Sequence, residues 1–562
     1  LPKSPNELTE TGRRVGKQRG IDMKGQVFDG NSLWRACWVS GVILGLLAIN
    51  SWGLCAAAPA NPTTADPLRF PVEQFTLETA TVKTSTGEKK VVYRSYQHIP
   101  YVARPVDRKY ESLNVEVPIS VDGKPVDATN APILFIVGVG GYLSSPNIRD
   151  ASMMPSGPGG PVGLPPGMPP GAGPGGPGAL GGPSGGPGGP PGGPGPNSGF
   201  EKMGLAEGWV IVNPGVRGRD NRDKEGNYYG KAPAAIIDLK AAVRYIRHNH
   251  GVLPGNDERI VSSGCSAGGA LSALLAASGN SPLYEPYLQA IGAADAADNV
   301  FAAGCHSPVT DLDHADMTYE YEFGDSKPLG SRTVDPAVSA ELKGRYKAYQ
   351  AALNLQGRSD FGTLTADNMG QYLVANFLAP SAAQFLKGLP DDKRAAYLAQ
   401  NPWLSWDGKR ANFTLADFAA QHTHRFKGAP AFDDFSMSSP ETNLFGNKTT
   451  DSAHFTNYSL RHATGDPAAT ISPELQSIVN LMNPMYFILQ RNPGAAKHWW
   501  IRHGATETDS AAVGAVNLVT GLENMGREVN AVVYWDAGHC EDLDPQGFIT
   551  WVGEVTGYRL AN

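Results

Sequence analysis

Short uninterrupted apolar runs alternate along much of the chain with segments whose apolar residues return every three to four positions. Ile133-Leu134-Phe135-Ile136-Val137, Trp209-Val210-Ile211-Val212 and Arg259-Ile260-Val261-Ser262-Ser263 read as buried strands. Ile236, Leu239, Val243 and Ile246 repeat at helical spacing between the second and third of them. An Ala/Leu-rich helix follows the third. The same rhythm returns near the end, with strands at His498-Trp499-Trp500-Ile501 and Ala531-Val532-Val533-Tyr534-Trp535. Ala512, Val516, Val519 and Leu522 mark a helix between them, and Phe548-Ile549-Thr550-Trp551-Val552 belongs to a closing helix. Strands that are apolar on both faces and alternate with helices predict a mostly parallel sheet covered on both sides.

Two stretches break the rhythm. Residues 144–198 are dominated by Gly and Pro without a strict Gly-X-Y register, a composition that cannot bury a core and predicts a disordered insert. From Asp311 to Ile471 the alternation is lost, and that length suits a cap over the carboxyl edge of the sheet, where open α/β sheets bind ligands. The expected organisation is therefore an upstream extension and signal over 1–60, a first core part over 61–310, a cap over 311–471 and a second core part over 472–562.

With 41% apolar residues the chain can fill a large core, and a net charge of -7 argues against a nucleic-acid partner. The start of the chain predicts export. From Met23 onward, Lys24 and Arg35 precede the apolar run Trp38 to Ile49, and Ala56-Ala57-Ala58 offers small residues for cleavage. The run falls short of the roughly 20 apolar residues of a membrane span; an uncleaved anchor is the alternative. The mature protein is expected in the periplasm or outside the cell.

Gly264-Cys265-Ser266-Ala267-Gly268 matches G-x-S-x-G between a strand and a helix. A second match, Gly182-Pro183-Ser184-Gly185-Gly186, lies in the Gly/Pro insert and follows from its composition. The strand–turn–helix setting makes the first match a nucleophile elbow, with Ser266 exposed at the sheet edge and the Ala267 amide aimed at a developing oxyanion. A second donor is expected from the loop after the first strand, where Gly140 and Gly141 stand. Chain order then requires the base late in the sequence. His539, in Asp536-Ala537-Gly538-His539-Cys540, follows the last strand.

Export makes a disulfide possible, and the mature chain keeps Cys265, Cys305 and Cys540. Cys265 precedes the proposed nucleophile and Cys540 follows the proposed base. A Cys265–Cys540 bond would bring the two loops together and leave Cys305 free. The acid should follow the preceding strand, in His503-Gly504-Ala505-Thr506-Glu507-Thr508-Asp509. Glu507 is preferred for its spacing from the glycine, with Asp509 as the alternative. Together these features predict an α/β-hydrolase fold with an inserted cap, and a serine esterase.

Several motifs carry a family resemblance. Gly264 to Leu275, Asp311-Leu312-Asp313-His314-Ala315-Asp316, Val139-Gly140-Gly141-Tyr142, Lys427-Gly428-Ala429-Pro430-Ala431-Phe432-Asp433 and Glu441-Thr442-Asn443-Leu444-Phe445-Gly446 resemble the bacterial tannases of subtype B. The resemblance covers nearly everything from Tyr93 onward except the insert. The Cys-Ser and His-Cys pairs are similar to those of the fungal tannase and feruloyl esterase family, in which a disulfide joins the two catalytic loops.

The bacterial resemblance implies hydrolysis of galloyl esters without a cofactor. It places the triad on Ser266, Glu507 and His539, the oxyanion donors on Gly140 and Ala267, and the groups that hold the ring hydroxyls on Lys427, Glu441 and Asp509. Glu507 departs from the family pattern, which has Asp there. A feruloyl or chlorogenate esterase is the nearest alternative, and a non-catalytic binding protein on the same scaffold is a more distant one. His422-Thr423-His424 has no third ligand at a convincing spacing, and Asp311, Asp313 and Asp316 lack the glycine and closing Glu of a calcium loop, so no metal is expected.

Overall fold

The computed structural model describes residues 66–146, 198–328 and 334–560. The predicted signal and nearly all of the Gly/Pro insert, with its second G-x-S-x-G match, lie outside the described residues. Ala65–Asn562 forms one compact unit.

The strands are β1 (Thr76–Thr84), β2 (Gly87–Pro100), β3 (Ser112–Val121), β4 (Lys124–Pro125), β5 (Pro132–Val137), β6 (Val210–Pro214), β7 (Asn256–Cys265), β8 (Ala302–His306), β9 (Ser405–Trp406), β10 (Ala411–Asn412), β11 (His498–Gly504) and β12 (Glu528–Tyr534). Ten form one sheet, in the order β1-β2-β3-β6-β5-β7-β8-β11-β12 with β4 on β3. The pairings from β6 through β12 are parallel, and β1, β2 and β3 continue the sheet antiparallel.

Every residue of β5 and of β11 is buried. In β5 the side chains divide by the period of two. Ile133, Phe135 and Val137 join one apolar cluster and Leu134 and Ile136 the other. The first cluster contains most of the apolar residues of the helices Ala234–His248, Ala267–Ala277 and Ala512–Asn524. The second takes Phe200, Leu205 and Ala206 from the helix Ser198–Ala206, and Phe548, Ile549, Trp551 and Val552 from Pro545–Thr556. The architecture is thus a mostly parallel sheet between two helical layers.

From β5 the chain moves to β6 on one side, then returns through the helix Ala234–His248 to β7 on the other. The strand order therefore reverses at β5, and the β5/β7 crevice is a switch point of the kind at which such sheets bind ligands. The loops leaving these two strands carry Gly140 and Ser266. Between β8 and β11 runs the long segment predicted as a cap. It holds helices from Leu312–Phe323 to Pro484–Leu489 and the small β9–β10 hairpin. No helix among the described residues is long and apolar enough to cross a membrane.

Candidate active site

Ser266 sits between β7 and the helix Ala267–Ala277 with φ 57° and ψ -125°. A positive φ in a residue with a Cβ costs about 1–3 kcal/mol and persists only where its surroundings enforce it. Here the enforcement is close packing. The Ser266 N–H donates to the His306 carbonyl of β8 at 3.0 Å. A side chain at Gly264 would strike the Gly268 carbonyl, and one at Gly268 would strike the carbonyls of Val137 and Val139. The elbow is thereby pressed against the loop that holds Gly140. Ala267 opens the helix, so its N–H has no intrahelical partner by position.

The Gly140 loop is shaped from outside as well. Gly141 and Tyr142 both take positive φ, 53° and 58°. The Arg219 guanidinium donates through Nε to the Gly141 carbonyl at 2.7 Å and through NH1 to Asn443 Oδ1 at 2.9 Å. The Arg219 N–H donates to the Tyr142 carbonyl at 3.0 Å. One side chain thus ties the loop to the helix Pro440–Leu444, which carries Glu441.

Cys265 and Cys540 form a disulfide with Cα atoms 5.8 Å apart, and Cys305 is a buried free thiol. The bond fixes the loop after β12 against the elbow, so Ser266 and His539 lie on loops clamped at adjoining positions. His539 Nδ1 lies 2.9 Å from Glu507 Oε1, and Glu507 is buried. Burial pushes the Glu507 carboxyl up. The charge of His503, the hydrogen bond and charge of His539 and the Ser307 hydroxyl outweigh it and hold the group at about 2. The ionised Glu507 can only accept, so Nδ1 carries the hydrogen and Nε2 the lone pair. Burial disfavours a charge on His539, yet the hydrogen bond and charge of Glu507, with that of Asp509, raise its pKa above the usual value, while Lys427 works the other way.

Asp509 and Lys427 therefore stand within electrostatic range of His539. The Lys427 backbone is held on both sides. Its N–H donates to the Tyr319 hydroxyl at 3.0 Å, and its carbonyl accepts from Arg425 Nε at 2.9 Å. Lys427 Nζ lies 4.0 Å from the Phe432 ring centre. Glu441 is buried, and its Oε2 has no hydrogen-bond partner. Its charge is felt at Tyr142, whose hydroxyl is pushed up by burial first and Glu441 second, and at Arg219. The residues implicated by sequence thus gather around the elbow, the Gly140 loop and the loop after β12.

Sequence reading passed over Arg219, Tyr319, His503, Ser307 and Ser510. None lies in a recognisable motif; each matters through a partner distant in sequence or through a turn of the backbone. His422, from the motif set aside as a metal site, is half-buried and stacked on Trp535 with ring centres 4.1 Å apart. Asp311, Asp313 and His314 place ligand-type atoms within 4.8 Å of one another. Those atoms bond to each other and to Asn483 and Tyr349.

Residues 201–331, which span the elbow, match the family model BD-FAE. None of the curated proteins matches the chain. Among solved structures, the tannase of Fusobacterium nucleatum is 30% identical with a TM-score of 0.68. The tannin acyl hydrolase of Lactobacillus plantarum gives the same two values. A tannin acyl hydrolase in complex with ethyl gallate is also 30% identical, with a TM-score of 0.69. Each match covers 87% of this chain and 99% of the other.

Proposed function

The chain belongs to the tannase family of α/β-hydrolases and is a carboxylic ester hydrolase, and from that premise we propose that it cleaves galloyl esters to gallic acid and an alcohol. In this reading Ser266 attacks the ester carbonyl. His539 Nε2 takes the hydroxyl proton and returns it to the leaving alcohol, and Glu507 orients the ring through Nδ1 and stabilises the imidazolium. The N–H groups of Gly140 and Ala267 receive the oxyanion. Water, activated by the same histidine, then cleaves the acyl-enzyme.

The observation that carries the galloyl preference is the unpaired, buried carboxylate oxygen of Glu441. A buried acceptor with no internal partner is costly unless a ligand hydroxyl serves it. With Lys427 and Asp509 it gives a ring bearing several hydroxyls a cation and two carboxylates to pair with. A ring lacking those hydroxyls leaves the groups unsatisfied, which is the strongest form of rejection available to a binding pocket. We further propose that 311–471 acts as the cap presenting Lys427 and Glu441, and that the protein is exported.

Rates on methyl gallate and methyl ferulate test the preference, with p-nitrophenyl acetate as a substrate that needs no ring hydroxyls and Ser266→Ala as the background control. Lys427→Ala and Glu441→Gln should each lower kcat/KM on methyl gallate by about 10–100-fold and leave the acetate ester nearly unchanged. Equal losses on both substrates would refute the assignment. The BD-FAE match over the elbow favours a second reading, a feruloyl-type esterase; a higher kcat/KM on methyl ferulate would establish it instead.

A further inference from the structure

Glu507 is served by more than His539. Its Oε1 accepts from the Ser510 hydroxyl at 2.5 Å as well as from His539 Nδ1. Its Oε2 is buried without a hydrogen bond of normal geometry and faces His503 Nε2 at 3.5 Å. His503 is itself buried. Its Nδ1 lies 2.8 Å from the Gly504 carbonyl oxygen and its Nε2 lies 3.3 Å from Ser510 Oγ.

The hydrogens on this chain can be counted. A carbonyl oxygen only accepts, so His503 Nδ1 carries a hydrogen. Ionised Glu507 only accepts, so Ser510 gives its single hydroxyl hydrogen to Glu507 Oε1. Ser510 Oγ can then meet His503 Nε2 only as an acceptor, so Nε2 carries a hydrogen too. We propose that His503 carries a hydrogen on both ring nitrogens in this arrangement, a buried imidazolium and positioning residue that pairs with Glu507 from the side opposite His539 and keeps it ionised and aimed.

Two consequences follow for catalysis. A carboxylate oxygen with no hydrogen bond inside a protein needs charge compensation, and His503 provides it. The same cation repels the imidazolium that forms on His539, so Glu507 can orient the base without binding its proton too tightly for release to the leaving group. Facing His503 are Glu507 and Ser510 from its own loop, and His539 reaches the other oxygen of Glu507 from the loop after β12. Glu322, from the helix Leu312–Phe323, acts on Glu507 from further out, and Asp509 and Lys427 act on His539. All of these remain when His503 alone is replaced.

The inference rests on the reading of Glu507 and His539 as acid and base, so its test has one arm that needs no turnover. A neutron structure of the unmodified protein at about neutral pD should show deuterium on both ring nitrogens of His503; a bare Nε2 overturns the proposal. In the second arm, His503→Gln keeps a donor for Ser510 but removes the charge. The acid limb of kcat/KM for p-nitrophenyl acetate should then move up by about half a pH unit or more, because His539 is no longer repelled, with kcat reduced and KM little changed. A folded variant whose limb stays in place overturns it. Full activity in Ser266→Ala would instead defeat the esterase reading, while the deuterium result would stand by itself.

Discussion

The Tyr319 hydroxyl accepts the backbone N–H of Lys427 at 3.0 Å. The same oxygen accepts the Phe426 N–H at 3.1 Å and donates to the Thr508 carbonyl at 2.9 Å. One side chain of the inserted segment thus spans the loop of Lys427 and the loop that carries Glu507 and Asp509. Tyr319→Phe removes all three bonds and leaves their backbone partners without it. A stability loss of about 2–3 kcal/mol is expected, measured by urea unfolding. Turnover of methyl gallate should fall about 10-fold and that of p-nitrophenyl acetate much less, because Lys427 and Asp509, which we propose hold the ring, shift more than the nucleophile.

Arg219 plays the corresponding part for the Gly140 loop, holding the Gly141 carbonyl and Asn443 with one guanidinium. Lys in its place has no planar fork and cannot serve both acceptors in the same geometry. Arg219→Lys should lower kcat on gallate and acetate esters alike, by about 10-fold, since a misplaced oxyanion donor affects every ester. Parallel kcat measurements on the two substrates check this, and a loss confined to gallate would locate the effect at Glu441 instead.

The Cys265–Cys540 bond closes a loop of 275 residues in sequence separation. On the chain-entropy account a loop of this size stabilises by about 5–6 kcal/mol. The Cys265→Ser, Cys540→Ser double variant should therefore unfold at clearly lower urea and lose esterase activity, through looser registration of His539 on the elbow. Mild reduction should reproduce the activity loss. Cys305, buried and with its thiol pushed up to about 12 by burial, should resist alkylation in the folded protein; rapid labelling of Cys305 would show that its pocket opens.

Glu507 also predicts a pH dependence of stability. Its folded pKa, about 2, lies below the ordinary value of 4.5. The group therefore contributes stability that is present above about pH 4.5 and is lost as pH falls toward 2. One pKa unit corresponds to about 1.4 kcal/mol, which makes this contribution about 3 kcal/mol. Glu507→Gln should flatten the fall of unfolding free energy between roughly pH 5 and 2 and cut kcat by about 100-fold or more. Because the His539 pKa is raised, the acid limb of wild-type kcat/KM should lie above the pH of a free imidazole, about 6.5.

Most of the parallel part of the sheet was readable because its strands, β8 apart, announce themselves. Pro132–Val137 and His498–Gly504 are buried on both faces, and such strands appear in sequence as unbroken apolar runs. The antiparallel strands β1, β2 and β3 escaped notice. β1 is largely exposed, its burial alternates weakly, and β2 carries two register shifts against β3. β8 escaped for a different reason. Ala302-Ala303-Gly304-Cys305-His306 is small enough to pass for a loop, and Gly304 is small because Phe548 packs against it. The helix Ala234–His248 buries Lys240 against Asp298 at 2.8 Å, a pairing that no periodicity reveals.

The sequence by itself determined the elbow, the late histidine and the two cysteines beside them. These rest on local rules: a strand–turn–helix turn tolerates only small neighbours, and adjacency along the chain fixes which thiols can clamp which loops. Which carboxylate bonds to His539 was decided by tertiary structure. Glu507 and Asp509 are two residues apart and chemically alike, and only folding buries one of them against His503, Ser510 and Ser307 while leaving the other half-buried within electrostatic range of His539. The same holds for Arg219 and Tyr319. A hydrogen bond is defined by distance and direction in space, and its partners leave no mark at any fixed separation along the chain.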